Sequence, residues 1–320
     1  MKSSANPKAF WLHVGVIVLL FLLQFVLPEY HHLTATRIMV LAIFAMGYNV
    51  LFGYTGLLSL GHAMFFATGL YTAGLTAYHL EWGVISSFIA AVSVGAAVSM
   101  IIGAVALRTS GVAFMIVTMM FAQVAYLSTL YFTTYTRGDE GLVLPESARS
   151  FSVIGFDVNL VDPVVRYSIT LGFLALTLFI IYRLVQSPTG RALVAIRENE
   201  SRTRMLGYNT FAIKLKALTI SGTLSAMSGA LYALLFAYVG SSFATIQYSI
   251  DALLFTLLGG AGTVLGPLLG SFMMFYLIDI ASDYTTAYLL VAGIVLIILV
   301  MYFPKGLLGT LREKYFPWIP

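Results

Sequence analysis

The sequence predicts an all-α polytopic membrane protein with about 8–10 transmembrane helices, glycine-broken segments among them, and a helix on the cytoplasmic side. Three observations lead there. Of 320 residues, 60% are hydrophobic and 9% charged, with a mean hydropathy of +0.93, which leaves too little polar surface for a soluble domain. The apolar residues gather in runs that approach or exceed the length needed to span hydrocarbon. The basic residues stand at the ends of those runs, so the net charge of +4 speaks to topology and not to nucleic acid.

The runs fall at 10–27, 37–52, 57–79, 84–107, 111–135, 166–186, 215–240, 249–260, 264–282 and 284–303. The first is read as a retained helix, because no small-residue cleavage site followed by a polar mature domain comes after it. With both termini cytoplasmic, 13 of the 17 Lys and Arg residues lie inside, from Lys2 and Lys8 through to Arg312 and Lys314. Only Arg37, Arg137, Arg149 and Arg166 remain outside, as the positive-inside rule requires. Merging two pairs of runs would give eight spans and the same orientation.

Two of the apolar segments are interrupted by glycine. "GYTGLLSLGHAMFFATGLYTAGL" (53–75) has Gly53, Gly56 and Gly61 ahead of the small pairs Ala63/Ala67 and Gly69/Ala73. "LLGGAGTVLGPLLG" (257–270) repeats Gly262, Gly266 and Gly270 every four residues, with Gly259, Gly260 and Pro267 breaking regular helix. The run at 249–260 is too short to cross ~30 Å of hydrocarbon at ~1.5 Å per residue. Its broken backbone must be buried in protein or line a watery cavity. Each half of the chain thus holds one such segment, a hint of internal repetition. Between them, Ser221, Ser225, Gly229, Ala233 and Ala237 form one row at i, i+4, beside Gly222, Ala226 and Ala230, a face on which a neighbouring backbone can lie close.

Two connections exceed a turn. The outer one, 136–165, carries Asp139, Glu140, Glu146, Asp157 and Asp162 and offers either a docking face for another protein or a solvated loop. The inner one, 187–213, is broken from the preceding helix by Pro188 and Gly190. It continues as an amphipathic helix over Arg191–Leu206, with Leu193, Ile196, Met205 and Leu206 apolar and Gly207 and Asn209 as stops. Its four arginines suit anionic headgroups, and equally the helix could seat in a cytoplasmic partner. The tail, 304–320, is cytoplasmic.

Motifs of chemistry are absent. No phosphate-binding loop, H-E-x-x-H or paired carboxylate cluster occurs, and without cysteine there is no thiolate site. Gly56-x-x-Ser59-x-Gly61, next to His62, is one residue off a hydrolase elbow, but no acid is placed to complete it. His31 and His32 fall in an outer turn, and His13 near the inner end of the first run. Polar groups at membrane depth are costly and point to a pathway. Ser59, His62 and Gln123 are the pathway candidates, with Asn49 as a polar companion. Asp251 is read as a first-turn acid at a helix N-terminus. No chain of carboxylates marks a proton-coupled carrier.

"GLLSLGHAMFFATGLY" (56–71), "GRALVAIRENESRTRMLGYNTFAIKLKAL" (190–218), "SGALYAL" (228–234), "LLGGAGTVLGPLLG" (257–270) and "YFPKGLLG" (302–309) resemble, in order, the LivM-type inner-membrane permeases of branched-chain amino-acid ABC importers. The outer "TRGDEGL" (136–142) is similar to that family's T-G-G-x-D-G-L, with Arg137 in place of a glycine. The resemblance implies one permease domain, 1–320, in a bacterial inner membrane. It would pair with a LivH-like second permease, two cytoplasmic ATPase subunits, an extracytoplasmic substrate-binding protein and membrane lipid, with no nucleic acid. The chain itself would bind no cofactor, ATP-Mg being held by the ATPase subunits. The inner helix becomes a coupling helix that moves as a rigid element, with Arg197, Glu198, Glu200, Arg202 and Gly207 in the docking segment. Asp139 and Glu140 become candidates for binding-protein docking, and Gly222, Gly229, Gly262, Gly266 and Gly270 are packing positions.

The leading expectation is therefore a permease that is not itself an enzyme and that passes branched-chain or related small amino acids by alternating access. A urea or short-chain amide permease would share the same scaffold. A stand-alone channel or secondary carrier is the alternative of another class.

Overall fold

The computed structural model describes residues 7–153, 156–303 and 305–315. Lys2, Pro304 and residues 316–320, counted above with the cytoplasmic ends, lie outside them. Among the described residues, a helix occupies each predicted run: α1 (Pro7–Leu23), α2 (Glu29–Thr55), α3 (His62–His79), α4 (Val84–Ala106) and α5 (Val112–Tyr131) come first. A single turn, α6 (Thr133–Thr136), leads towards α7 (Pro163–Gln186), followed by α8 (Pro188–Met205) and α9 (Thr210–Phe236). The chain continues through α10 (Ile246–Gly259), α11 (Gly266–Tyr284), α12 (Tyr288–Tyr302) and α13 (Leu307–Lys314). By length and composition α2, α4, α5, α7 and α9 suffice to cross a membrane. At 14 residues α10 does not, as its sequence predicted.

α9 is the axis. It is buried along most of its length and packs against α2, α3 and α4, whereas α4 and α5 are largely exposed. The axis forms because α9 presents small residues on every side, so backbones approach where lipid supplies no hydrophobic drive. A Cβ at Gly229 would strike the Phe66 carbonyl oxygen, and one at Gly222 the Ser99 side chain. From the facing helix, a Cβ at Gly69 would strike the Ala226 carbonyl. Serines then tie the helices: Ser221 Oγ donates to Gly47 O at 2.6 Å and Ser228 Oγ to Val40 O at 2.6 Å. Ala237, the last member of the predicted row, lies past the helix end at φ 59°. In the same manner α10 and α11 fold onto each other, Gly270 meeting the Phe255 carbonyl and Gly266 the Gly260 carbonyl and Thr263 hydroxyl.

The outer connection is partly ordered into short strands. β1 (Leu142–Val143) pairs antiparallel with β4 (Tyr238–Val239), and β2 (Ser150–Val153) with β3 (Phe156–Asn159). Arg149, between these strands, is buried and donates to the carbonyls of Leu234 (3.0 Å), Leu235 (2.6 Å) and Leu160 (3.2 Å). Its charge thus sits at the negative end of α9. Asp162, predicted as part of an acidic surface, is exposed and also caps α7 through Val164 N at 2.8 Å. His32, predicted in an outer turn, belongs to α2 and is buried with its ring 5.5 Å from Tyr167.

The inner helix differs from its prediction in two ways. Pro188 and Gly190 do not lie between helices: Ser187 caps α8, accepting from Gly190 N at 3.1 Å, and Pro188 starts it, where a missing N–H costs nothing. α8 is also not one rigid rod. At Asn199 (φ −162°, ψ 100°) the backbone leaves helical geometry, and Asn199 Oδ1 accepts from Arg202 N at 2.8 Å to start a second short stretch.

Candidate functional site

The two glycine breaks meet each other. α2 stops because Gly56 takes a left-handed conformation (φ 75°) and returns its N–H to Phe52 O, and the chain then crosses to α3. The second break runs from Gly260 (φ 126°) through Gly262 (φ 78°) to α11. Asn49, in the last two turns of α2, bridges them: its Nδ2 donates to Thr263 O at 2.8 Å and its Oδ1 accepts from Gly262 N at 2.9 Å. One buried amide thus satisfies a donor and an acceptor that the turn leaves open.

α8 closes on this junction through Arg197. Its Nη1 donates to Gly53 O. A Cβ at Gly56 would lie 3.1 Å from its Cγ, and one at Gly262 would lie 3.0 Å from Nη1. From α13, Arg312 Nη1 donates to Gly262 O at 3.3 Å. Between these elements opens a cavity of about 580 Å³, with Phe52, Thr263 and the Lys305–Glu313 ion pair (2.7 Å) also in its walls. Both arginines reach backbone carbonyls, and among the described residues neither has a carboxylate within 4.0 Å.

The rest of α8 divides between inward and outward groups. Leu193 and Ile196 are buried. Glu200 turns back to the start of α9, 2.8 Å from Lys214 Nζ, and meets Arg204 at 3.2 Å. Burial alone would push its carboxyl up, but the hydrogen bond and charge of Lys214, with Thr210 and Arg204, hold it below the usual range. Glu198 and Arg202 face solvent. Gly207 adopts φ 87° with open space where a Cβ would be. Met205 and Leu206 do not continue the buried stripe of Leu193 and Ile196: they are 80% and 72% exposed beside exposed Tyr208, because the bend at Asn199 turns the second stretch.

Ser59 and His62 come together where α3 begins. Ser59 is buried and accepts from Gly61 N at 3.2 Å, closing the turn. His62 is fully buried, its Nε2 2.7 Å from Ser221 Oγ and its ring edge-on to Tyr48 at 4.6 Å. Because Ser221 gives its proton to Gly47 O, Nε2 is the nitrogen assigned the proton. Gln123 is half-buried on α5 and bonds to neither. Asp251 lies well past the first turn of α10, which begins at Ile246, and accepts from Gln247 at 3.2 Å, so the predicted N-terminal placement is corrected. The sequence reading missed the start because a 3₁₀ turn, Ser241–Ala244, separates α9 from α10. At the end of the molecule opposite α8, Asp139 accepts from Ser241 Oγ at 3.0 Å, while Glu140 is exposed.

Three residues around α8 and the junction carry little signal in the sequence: Asn49 is one polar residue in an apolar run, and Lys214 and Arg312 are two charges among many. Their partners lie far along the chain, and no local pattern encodes such distance.

The comparisons with known proteins bear on what this junction serves. The family model described as "Branched-chain amino acid transport system / permease component" matches residues 32–300. The chain is 31% identical over 298 residues, 88% of its length and 70% of the relative's, to the high-affinity branched-chain amino acid transport system permease protein LivM of Salmonella typhimurium. It is 30% identical over 298 residues, with the same coverage, to LivM of Escherichia coli K12. It is 26% identical over 292 residues, 84% of this chain and 91% of the relative, to the LivH permease of the same strain. No solved structure matches it significantly.

Proposed function

The chain belongs to the branched-chain amino acid transport permease family, and on that premise we propose that it is the LivM-like membrane subunit of an ATP-driven importer of branched-chain amino acids. It is a multi-pass membrane protein whose family is one of permeases, not enzymes. In this reading it pairs with a LivH-like permease in a bacterial inner membrane, termini cytoplasmic. Two ATPase subunits supply ATP-Mg hydrolysis from the α8 side, and a binding protein delivers substrate on the other. Asp139 and Glu140 are part of the surface offered to that protein.

The observation that carries the coupling role is the seating of Arg197 against both glycine breaks at once. When the ATPases close, the exposed groups Glu198, Arg202, Met205 and Leu206 take the load. Gly207 supplies the left-handed turn into α9, and Arg197 hands the displacement to α2–α3 and α10–α11 together. Rigid-body shifts of packed helices are a known route to alternating access. Ser59, His62 and Gln123 remain the proposed polar groups beside the route, and the close-approach glycines hold the helices that move.

The test is reconstitution. Proteoliposomes holding this chain, the second permease and both ATPases should take up labelled leucine only with ATP and loaded binding protein. Uptake by this chain alone would replace the importer with a channel or carrier. Transport of urea and not leucine would favour the amide permease.

A further inference from the structure

The cavity between α8, the second glycine break and α13 holds more positive charge than the fold uses. Its walls carry Arg197, Lys305 and Arg312 against one carboxylate, Glu313, which is already engaged by Lys305 at 2.7 Å. Each guanidinium has five N–H donors. Among the described residues Arg197 directs one of them to Gly53 O, and Arg312 one to Gly262 O at 3.3 Å. Tyr54, one residue before the end of α2, adds a further open group. It is 4% exposed, its hydroxyl has no hydrogen-bond partner among the described residues, and both guanidiniums are near enough for their charges to act on its phenol. Donors and positive charge gathered around a cavity without acceptors of their own call for an anion.

The cavity lies where apolar helices end: α2 at Thr55, α10 at Gly259 and α12 at Tyr302. Exposed Met301 and Tyr302 close α12 just before Lys305, a pattern of the membrane–water boundary. α13 then lays half-buried Leu307 and Leu308 against the helices and carries Arg312 and Lys314 in its last turn, as an interfacial helix does. The volume of about 580 Å³ is far more than a bare phosphate ion occupies, and Phe52 and Leu257 give the cavity an apolar wall beside its charged one.

We propose that this cavity binds the phosphate group of an anionic phospholipid from the leaflet on the α8 side, with Arg197 and Arg312 clamping the phosphate oxygens and the glycerol end against Phe52 and Leu257. Guanidinium groups match paired phosphate oxygens, and basic pockets between membrane helices suit such headgroups. A zwitterionic lipid brings a cation of its own, which the arginines repel. The bound phosphate joins α8 to α13 across the second glycine break. Only the name of the leaflet, cytoplasmic, rests on the importer reading; the chemistry rests on the cavity.

The test counts lipid held by the full chain, copurified with the second permease and both ATPases. Delipidated complex in detergent is titrated with dioleoyl-phosphatidylglycerol or with dioleoyl-phosphatidylcholine, and bound lipid is read by native mass spectrometry. Wild type should hold phosphatidylglycerol about tenfold more tightly than phosphatidylcholine. Arg312→Gln should cut that preference about fivefold, the effect of one basic residue at a membrane surface. Arg191→Gln removes the same charge from the exposed start of α8, outside the cavity, and should leave the preference within twofold. Glu313→Gln frees Lys305 and should tighten phosphatidylglycerol binding at least twofold, a gain that misfolding does not mimic. An unchanged preference in Arg312→Gln, or an equal loss in Arg191→Gln, would reduce the effect to diffuse surface charge and overturn the site. Displacement of the lipid by millimolar inorganic phosphate would overturn the lipid as its source and leave a soluble phosphate. A preference seen in this chain with the second permease but lost when the ATPases bind would assign the arginines to a partner's carboxylate. None of these readouts needs transport, so a complex that keeps the lipid preference and moves no leucine would sink the importer reading and leave this site standing.

Discussion

Arg197 donates to the carbonyl oxygen of Gly53, the residue one turn beyond Asn49 on α2, while Asn49 itself holds the second glycine break. A side chain from the α8 segment therefore bears on both interrupted helices through contacts with backbone alone.

Replacing Arg197 with alanine should uncouple the complex before it unfolds it. A hydrogen bond from a charged group contributes about 1.5–3 kcal/mol when buried, and Arg197 is exposed enough that ~1 kcal/mol is the expected loss of stability. Substrate-stimulated ATPase activity of the reconstituted complex should fall about tenfold, while its melting temperature moves only a few degrees. A stimulated activity equal to wild type would remove Arg197 from the coupling route.

Gly229→Ala should destabilise the core, since the new methyl meets the Phe66 carbonyl oxygen and overpacking costs about 1–3 kcal/mol. Gly172→Ala on α7, where nothing lies within 4 Å of the added carbon, should be neutral or slightly stabilising. Comparing the two melting curves in detergent checks the central role of α9; equal curves would contradict it.

His62→Leu removes the bond to Ser221 but leaves Ser221 its bond to Gly47. A loss of about 1–2 kcal/mol is expected from one buried hydrogen bond and its altered packing. Placed beside the route and in the wall of none of the cavities described above, His62 acts there through packing, so transport per folded complex should stay within threefold of wild type. A tenfold drop with unchanged stability would put the imidazole on the route.

The α8–α9 joint should loosen in acid. Glu200 has its pKa depressed in the folded protein, so it contributes stability at pH above its ordinary carboxylate range, and that contribution is lost as pH falls through the lowered value. The protection of α8 amides, taken relative to their intrinsic exchange rates, should therefore fall below about pH 4.5, the ordinary glutamate range. Glu200→Gln should abolish this step while raising exchange at neutral pH. An acid step that persists in the variant would trace to another group.

What the sequence made legible was local. Apolar runs bounded by charge, glycine and proline located the ten helices to within a few residues at most ends, and the four-residue spacing of Gly222, Ala226 and Ala230 marked the face where α9 meets its neighbours. Position within a helix was harder. Asp251 reads as a helix start because Gln247 and Ser249 make the true first turns of α10 look polar, and Met205 reads as part of the apolar face because nothing in its neighbours announces the break at Asn199. Pairings such as Asn49 with Gly262 or Glu200 with Lys214 depend on how the helices pack, which residue order alone does not state.

Arg149 has a consequence for the opposite end of the molecule. Away from solvent, it ties the outer connection to α9 through the carbonyl oxygens of Leu234 and Leu235 and braces the connection itself through that of Leu160, and among the described residues no carboxylate lies within 4.0 Å of it. Counter-ions screen exposed charge pairs over roughly 10 Å at 0.1 M salt, but they have little hold on a guanidinium enclosed by peptide dipoles. The seat of this loop on α9 should therefore respond far less to ionic strength than an exposed ion pair would.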